Sequence, residues 1–356
     1  MVNIGVIGYG YWGPNIVRNF STIEGVRVVA VCDRNHEVLK RVVEANKGIT
    51  IFEDPEEMFK STGIDAVAIV TPVSTHYELA RKALENGKHV FVEKPFTATS
   101  VQALELIELA ETKKLKLMVD HTFLFTGSVR KIKELMTDNV LGKIFYYDSI
   151  RVNLGLFQHD INVIWDLAPH DFSIMSYLID EQPVTLSAWG MSHIGSHEDI
   201  AYVTVNFPSK IIAHFSVNWL SPVKIRTTLI GGEKKMLVWN DLDSDDKLKV
   251  YDKGVEVRNK QGIYDLLVSY RTGDMWAPKV DQTEALKTEC KHFIDCIENG
   301  LTPISDGNIG LNVVRMLEAC SVSLKNDGKP VDVKTSRLLA VGEYALTDTV
   351  TPKDLL

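Results

Sequence analysis

Residues 3–13 decide the fold and read Asn-Ile-Gly-Val-Ile-Gly-Tyr-Gly-Tyr-Trp-Gly. Asn3–Ile7 is a short apolar run typical of a buried parallel strand, and Gly8, Gly10 and Gly13 follow with G-x-G-x-x-G spacing. In such a turn the first glycine permits the tight bend, and the second lets a pyrophosphate approach the backbone. The third lets the following helix pack closely on the strand. The stretch therefore predicts a dinucleotide-binding turn.

An acidic residue follows the second predicted strand, Val26–Cys32, at the position that this motif requires. Asp33 lies 20 residues after the last glycine of the turn, where its carboxylate can accept hydrogen bonds from ribose hydroxyls. Asp33 favours NAD because it repels a 2′-phosphate. Arg34 can stack on adenine or pair with that phosphate, so NADP stays open, and it can equally be a solvated surface charge. With Tyr11 and Trp12, these residues form the predicted cofactor contacts on this side.

Short runs rich in valine and isoleucine alternate with amphipathic stretches through the first 121 residues. This alternation predicts a doubly wound α/β domain with a parallel sheet, over residues 1–121. The further predicted strands are Ala66–Val70, His89–Val92 and Lys116–Val119, and the predicted helices include His76–Asn86 and Ser100–Lys113.

Two loops follow predicted strands at the edge where ligands bind in such sheets. The first reads Thr71-Pro72-Val73-Ser74-Thr75-His76, and the second reads Glu93-Lys94-Pro95. Thr75 and His76 are also explained as a helix cap and a first-turn residue. Lys94 stands between an acid and a proline at the end of a buried strand, which aims an ammonium group towards the crevice.

From about His121 the pattern changes to strand-like alternation with glycine, proline and asparagine in the turns, so residues 122–356 are predicted to form a second domain. Its predicted strands are 143–153, 184–189, 202–207, 211–219 and 225–231. Its predicted helices are 128–138, 169–179, 283–299 and 308–325.

The segment 165–171 carries the strongest candidate for acid–base chemistry. Pro169 is tolerated in a first helical turn and so predicts a helix start, with Asp166 on the entering loop and His170 in the first turn. A neutral imidazole can accept a hydroxyl proton, and a nearby carboxylate can orient the ring. The alternative is that Asp166 and Asp171 are helix caps and His170 is a buried structural histidine.

Together, the G-x-G-x-x-G turn, the T-P-x-x-x-H loop and the E-K-P loop resemble the glucose–fructose oxidoreductase, inositol dehydrogenase and rhizopine-catabolism family over nearly the whole chain. The resemblance implies a Rossmann domain followed by an α+β domain with a large, mostly antiparallel open sheet. It also implies that one face of this sheet lines the substrate pocket. The other face makes subunit contacts, so a homodimer or homotetramer is expected.

The same resemblance assigns roles to the loop residues. Lys94 is implied to be a substrate-facing catalytic lysine that works with Asp166 and His170, and many relatives have glycine where this chain has Pro169. The residues implied to lie near the nicotinamide are Thr71, Pro72, His76, Glu93 and Lys94.

Three runs, 10–20, 151–171 and 217–226, look most similar to members that act on nucleotide sugars, in particular UDP-N-acetylglucosamine 3-dehydrogenases. Arg151 and Asn153 are therefore predicted to hold the sugar or diphosphate together with Lys94, Asp166 and His170. Strand-edge polarity explains Arg151 and Asn153 equally well.

The expected function is an NAD-dependent dehydrogenase that oxidises a ring hydroxyl, at C3, of a UDP-linked N-acetylhexosamine in nucleotide-sugar or surface-polysaccharide biosynthesis. The alternatives are an inositol or free-sugar dehydrogenase, a keto-sugar reductase, an NAD-dependent glycosidase of the same family, and a non-catalytic dinucleotide sensor.

Composition limits the other possibilities. A formal net charge of −8 argues against nucleic acid or an anionic membrane as partner, and no apolar run reaches the roughly 18 residues of a membrane span. The start of the chain has no signal-peptide pattern, and four unpaired cysteines suggest a reducing compartment, so a cytoplasmic protein is expected. No metal is expected, because His193 and His197 lie in a predicted loop without a third ligand. His159 is predicted to be a surface residue.

Overall fold

The computed structural model describes residues 1–46, 48–155, 157–158, 161–257 and 268–334. In these ranges the strands are β1 Val2–Ile7, β2 Val26–Cys32, β3 Thr50–Phe52, β4 Ala66–Ile69, β5 His89–Glu93, β6 Leu117–Asp120, β7 Ile144–Leu154, β8 Thr185–Met191, β9 Ile200–Asn206, β10 Ile212–Asn218, β11 Leu220–Gly232, β12 Met236–Asn240, β13 Leu248–Val257, β14 Val268–Trp276 and β15 Val331–Asp332. The helices are α1 Gly13–Ser21, α2 His36–Ala45, α3 Pro55–Lys60, α4 Val73–Glu85, α5 Ser100–Lys113, α6 Gly127–Thr137, α7 Val163–Leu178, α8 Ala285–Asn299 and α9 Gly307–Lys325, with a 3₁₀ turn at Thr122–Phe125.

The first sheet is fully parallel and has the order β3-β2-β1-β4-β5-β6. The strand order reverses between β1 and β4, which places a crevice at the carboxyl ends of these two strands. The predicted doubly wound domain is confirmed. β3 was not predicted, because two of its three residues are exposed and it lacks the apolar run that marks the other strands.

Among the described residues, the second sheet has nine strands in the order β14-β13-β12-β11-β7-β10-β9-β8-β15, and only β7 and β10 pair in parallel. This confirms the mostly antiparallel open sheet. One face packs on α7 and α9, while the other face is open in the described chain. Directly paired residues on the open face include Trp189 and Tyr202, whose side chains are exposed.

The helix that carries the candidate acid–base residues differs from the prediction. α7 begins at Val163, where the Asn162 side chain caps the backbone N–H of Trp165, and Pro169 lies inside the helix. The predicted start at Pro169 is wrong because the Asn162 cap fixes the first turn further upstream. The helix tolerates the missing N–H of Pro169, so Asp166 and His170 are both helical, one turn apart.

The last two helices return to the first domain. Phe293 of α8 joins Phe20 of α1 and Phe91 of β5 in an edge-to-face cluster with ring centroids 5.6–6.3 Å apart. Gly310 of α9 packs against Phe96, and a Cβ there would lie 2.9 Å from the Phe96 ring. Residues 122–356, predicted as a separate domain, therefore include helices that complete the core of the first one.

The four cysteines, Cys32, Cys290, Cys296 and Cys320, are buried and unpaired, which confirms them as buried thiols. Among the helices of the described ranges, none is both long and apolar enough to cross a bilayer.

Phe293→Ala should remove a fully buried ring at this junction. We expect a loss of about 3–5 kcal/mol in the free energy of unfolding, because the truncation leaves a cavity among rings that cannot collapse into it. Phe145→Ala is the control: this ring is 48% exposed, and the change should be within about 0.5 kcal/mol. Equal losses in urea-unfolding curves of the two variants would contradict this account of the core.

Candidate active site

The glycine turn has the geometry that a dinucleotide needs. Gly8 has a φ of +93°, and a Cβ there would lie 2.4 Å from the carbonyl oxygen of Val70. A Cβ on Gly13 would lie 2.6 Å from the carbonyl oxygen of Gly8. A Cβ on Gly10, by contrast, would meet nothing within 4 Å. Gly8 and Gly13 are thus required by the fold, while the space above Gly10 is left for a ligand, which fits a pyrophosphate.

A cavity of about 820 Å³ opens beside this turn, at the carboxyl ends of β1, β2 and β4. Asp33 lines it, and its carboxylate accepts hydrogen bonds from the backbone N–H groups of Tyr9 (2.8 Å) and Asn35 (2.9 Å). Arg34 is exposed at its rim. Further acids lining the cavity are Glu53, Asp54, Glu56 and Glu78. This negative lining fits a ribose with free hydroxyls better than a 2′-phosphate.

Tyr11 and Trp12, both predicted to contact the cofactor, occupy different environments. The Tyr11 side chain is 93% exposed. Trp12 turns inward and donates its indole N–H to Oδ2 of Asp120, at 3.2 Å.

His76 is fully buried behind the two predicted loops rather than in the cavity. Its Nε2 lies 2.7 Å from the carbonyl oxygen of Thr71, and its Nδ1 lies 2.9 Å from that of Pro95. Thr71 and Pro72 line the cavity themselves. His76 therefore ties the T-P-x-x-x-H loop to the E-K-P loop and has no direct access to a cofactor in this structure.

Lys94 and Asp166 meet where the two domains join. The Lys94 ammonium donates to the backbone carbonyl of Asp166 at 3.0 Å and lies 3.7 Å from Oδ1 of its carboxylate. Trp219 donates its indole N–H to the other carboxylate oxygen at 3.1 Å. The contacts of Asp166 are thus with Lys94 and Trp219. The expectation that Asp166 orients the ring of His170 finds no hydrogen bond to support it among the described residues.

His170 follows Asp166 by one helical turn, and its ring packs edge-on against Phe123 at 5.0 Å between centroids. Its Nδ1 is buried and has no hydrogen-bond partner in the described part of the chain. Burial first, and then the charges of Lys94 and Arg151, hold the pKa of His170 well below that of a free imidazole. The ring is therefore neutral near pH 7 and able to accept a proton.

Arg151 was predicted to bind substrate, but its guanidinium is already engaged. It is buried, and it donates to both carboxylate oxygens of Asp171, at 2.6 and 3.0 Å. Asp171 is thus an ion-pair partner rather than a helix cap. Phe123 lies under Arg151 and is also covered by Arg226. The side chain of Asn153 lies beside Gly155, which also packs against Trp219.

Three buried carboxyl groups were not recognised together from sequence. Glu93 ends β5, Asp120 ends β6, and Glu289 lies on α8. Burial, followed by the proximity of Asp120, raises the pKa of Glu93 to about 8. The only sequence signal was an acid ending each of two apolar runs, and Glu289 lies in an amphipathic helix with no motif.

The described residues hold no group of three or more histidine, cysteine, aspartate or glutamate side chains that could bind a metal. His193 is in a loop, and its ring contacts Asp199 at 2.8 Å. His159 lies outside the described residues.

A dinucleotide-binding parallel sheet joined to an open antiparallel sheet, with a lysine and a neutral histidine at the junction, defines an NAD-dependent oxidoreductase. The chain belongs to the GFO/IDH/MocA family. Residues 2–121 match its model described as "Oxidoreductase family, NAD-binding Rossmann fold". Residues 129–238 match the model described as "GFO/IDH/MocA C-terminal domain".

Individual relatives carry several dehydrogenase names. The chain is 28% identical to scyllo-inositol 2-dehydrogenase (NAD(+)) of Bacillus subtilis, over 95% of this chain and 96% of that protein. It is 25% identical to UDP-N-acetylglucosamine 3-dehydrogenase of Acidithiobacillus ferrooxidans, over 87% and 93%. A solved structure of the latter enzyme has a TM-score of 0.77 at 23% identity and covers 92% of this chain and 99% of its own. At that identity the structural likeness concerns the fold.

Gly10→Ala should show whether Gly10 is needed for NAD binding rather than for folding. We expect its stability to stay within about 0.5 kcal/mol of wild type, because the new methyl group meets no protein atom. NAD affinity, measured by calorimetry without substrate, should fall at least about tenfold, because the methyl group occupies the approach to the pyrophosphate.

Gly8→Ala is the paired variant. Its positive φ and the nearby Val70 carbonyl should lower stability itself, by more than about 1 kcal/mol. If Gly10→Ala bound NAD like wild type, the pyrophosphate would not lie over this turn.

Proposed function

We propose that this oxidoreductase oxidises a ring hydroxyl, at C3, of a UDP-linked N-acetylhexosamine to the keto sugar. The observation that carries the proposal is the convergence of Lys94, Asp166 and a neutral His170 at the carboxyl edge of the NAD-binding sheet. The nucleotide-sugar part rests on the likeness to the Acidithiobacillus enzyme.

His170 is the proton acceptor of this proposal. When the carbinol carbon gives up its hydride, the hydroxyl proton has to leave, and Nε2 of a neutral imidazole can take it. The bound nicotinamide supplies the hydride acceptor. Burial keeps His170 unprotonated before the reaction, so no proton has to be removed from it first.

Lys94 acts on the same oxygen. Its ammonium group, held by Asp166, can donate a hydrogen bond to the hydroxyl and stabilise the negative charge that develops there. Deleting one such donor in other enzymes costs about 3–4 kcal/mol. Asp166 fixes the lysine through its backbone carbonyl and carboxylate. From this position Asp166 can also accept a hydrogen bond from a neighbouring sugar hydroxyl.

Lys94→Ala should therefore lower kcat about 10²–10³-fold while NAD still binds. Lys133→Ala is the matched control, since Lys133 is a part-buried lysine that pairs with Asp180 at 2.8 Å, away from the site. Steady-state rates of NADH formation compare the two. Near wild-type turnover by Lys94→Ala would remove the lysine from the chemistry.

The pH profile tests His170. Activity needs its neutral form, so the rate falls as the pH drops through the pKa in the folded protein. Because burial and Lys94 lower that pKa, the acid limb of kcat/KM should lie below pH 6.5, the value of an ordinary histidine. His170→Asn should lose about 10²–10⁴-fold in rate. An acid limb at or above pH 6.5 would contradict the neutral base.

The substrate is tested by NADH formation with UDP-N-acetylglucosamine, its uronic acid, myo-inositol, scyllo-inositol and glucose. A parallel set contains 2-oxoglutarate to reoxidise retained NADH. Product only with a UDP-sugar supports the proposal. Turnover of an inositol would instead favour the second candidate, a polyol dehydrogenase, to which the Bacillus relative points. No NADH in the first set, and no keto sugar or 2-hydroxyglutarate in the set with 2-oxoglutarate, with NAD retained by the purified protein, would overturn both in favour of redox-neutral chemistry.

The oligomeric state stays a prediction. The open face of the second sheet carries exposed Trp189, Tyr202 and Ile150 in one row of paired positions. Such a face favours the homodimer or homotetramer expected from the sequence.

A further inference from the structure

Asp120 links the glycine turn to helix α8. Its Oδ2 accepts the indole N–H of Trp12 at 3.2 Å, and its Oδ1 accepts the hydroxyl of Thr122 at 2.5 Å. Trp12 lies between Gly10 and Gly13, so the carboxyl group of Asp120 holds the part of the turn that the pyrophosphate approaches. Asp120 is 2% exposed, and the strength of these bonds therefore depends on its buried neighbours.

Glu289 is such a neighbour. It is fully buried on α8, and its carboxyl group contacts that of Asp120. Neither of its oxygens receives an N–H or O–H donor from the described residues. Thr122 lies nearby but has its one hydroxyl proton on the short bond to Asp120. Two carboxylates in contact would repel each other, so one of the pair must keep a proton.

The proton belongs on Glu289. Burial raises the pKa of Asp120, but the hydrogen bonds that it accepts from Thr122 and Trp12 oppose this shift. Burial and the charge of Asp120 raise the pKa of Glu289 well above its ordinary value, with no donor on either oxygen to oppose them. A protonated Glu289 can then donate to Asp120. With three donors, Asp120 stays a carboxylate, and its charge-assisted bond to Trp12 is about twice as strong as a bond to a neutral acid.

We propose that Glu289 is a positioning residue for NAD: as a neutral acid it donates to Asp120, whose carboxylate fixes Trp12 and the glycine turn in the binding conformation. The proposal rests on the NAD-binding function and not on the identity of the sugar. NAD binding without substrate therefore tests it, and a failure of the sugar assignment would leave it intact.

Other charged groups surround the pair. Glu93 faces it from β5, with Lys94 beside it, and the thiol of Cys290 lies next to Glu289 on α8. On α1, which packs against α8, Arg18 forms its ion pair with Glu284 at the helix start. Burial and the charge of Asp120 raise the pKa of Glu93 to about 8, and Glu93 is present in every variant below.

The experiment compares Glu289→Gln with Glu289→Leu by calorimetric titration with NAD. The glutamine side chain keeps a donor to Asp120, so the NAD affinity of Glu289→Gln should stay within about twofold of wild type. The leucine side chain fills the space without a donor, so the NAD affinity of Glu289→Leu should fall about tenfold. Lys88→Met is the control for loss of a buried polar group: Lys88 donates to the Ser61 and Ile64 carbonyls at the opposite end of β5. Its NAD affinity should not change.

A pH series separates positioning from general damage. In Glu289→Leu, Asp120 should hold a proton at lower pH and release it as pH rises, so NAD affinity relative to wild type should recover with increasing pH. Glu289→Gln should run parallel to wild type. Equal affinities of the Leu and Gln variants, or a pH-independent loss in the Leu variant, would overturn the proposal.

Trp12→Phe supplies a second measurement that does not depend on the folding of Glu289→Leu. Removing the indole donor should weaken NAD binding by about tenfold. Where Glu289→Leu folds, the double variant Trp12→Phe/Glu289→Leu should lose no more affinity than either single variant, because both act through Asp120. Losses that add fully, or normal NAD binding by Trp12→Phe, would show that this chain of contacts does not position the turn.

Discussion

The ammonium group of Lys94 is the constraint on which the rest of the site depends. Lys94 directly follows β5, a strand buried on both faces, and its ammonium group needs oxygen partners where little water reaches. The structure meets this need with the backbone carbonyl and carboxylate of Asp166, on a helix of the other domain. This ion pair joins the two domains at the site, and the next turn of α7, with His170, lies at the same edge.

The charge of Lys94 also sets the electrostatics of its neighbours. It helps keep His170 and His121 neutral, and it partly opposes the burial that raises the pKa of Glu93. Arg151 adds to this positive surrounding but is neutralised by Asp171 in a bidentate pair. The site therefore combines one cation that can reach a substrate oxygen with a base that remains unprotonated. That combination suits removal of a proton from an alcohol.

A feature of the fold or the site could be predicted from the sequence where it is determined by a few neighbouring residues. The glycine turn and the E-K-P loop are set by a few consecutive residues, so sequence predicted both and the sheet that carries them. The helix start predicted at Pro169 was wrong because a cap at Asn162, seven residues earlier, decides where α7 begins. The partners of Asp166, Arg151 and Glu289 come from other segments of the chain. The spacing of residues along the sequence does not show that these segments meet in the fold. The family resemblance supplied the lysine and histidine roles, but not the inward turn of Trp12.

The return of α8 to the first sheet has a consequence for how the chain is made. Phe20 and Phe91 emerge from the ribosome early, yet the ring that closes their cluster is Phe293, about 200 residues later. The nucleotide-binding half therefore cannot finish its core during its own synthesis. It waits, with an apolar surface between α1 and β5 uncovered, until most of the chain has been translated. This part of the core is thus closed only once α8 has been made.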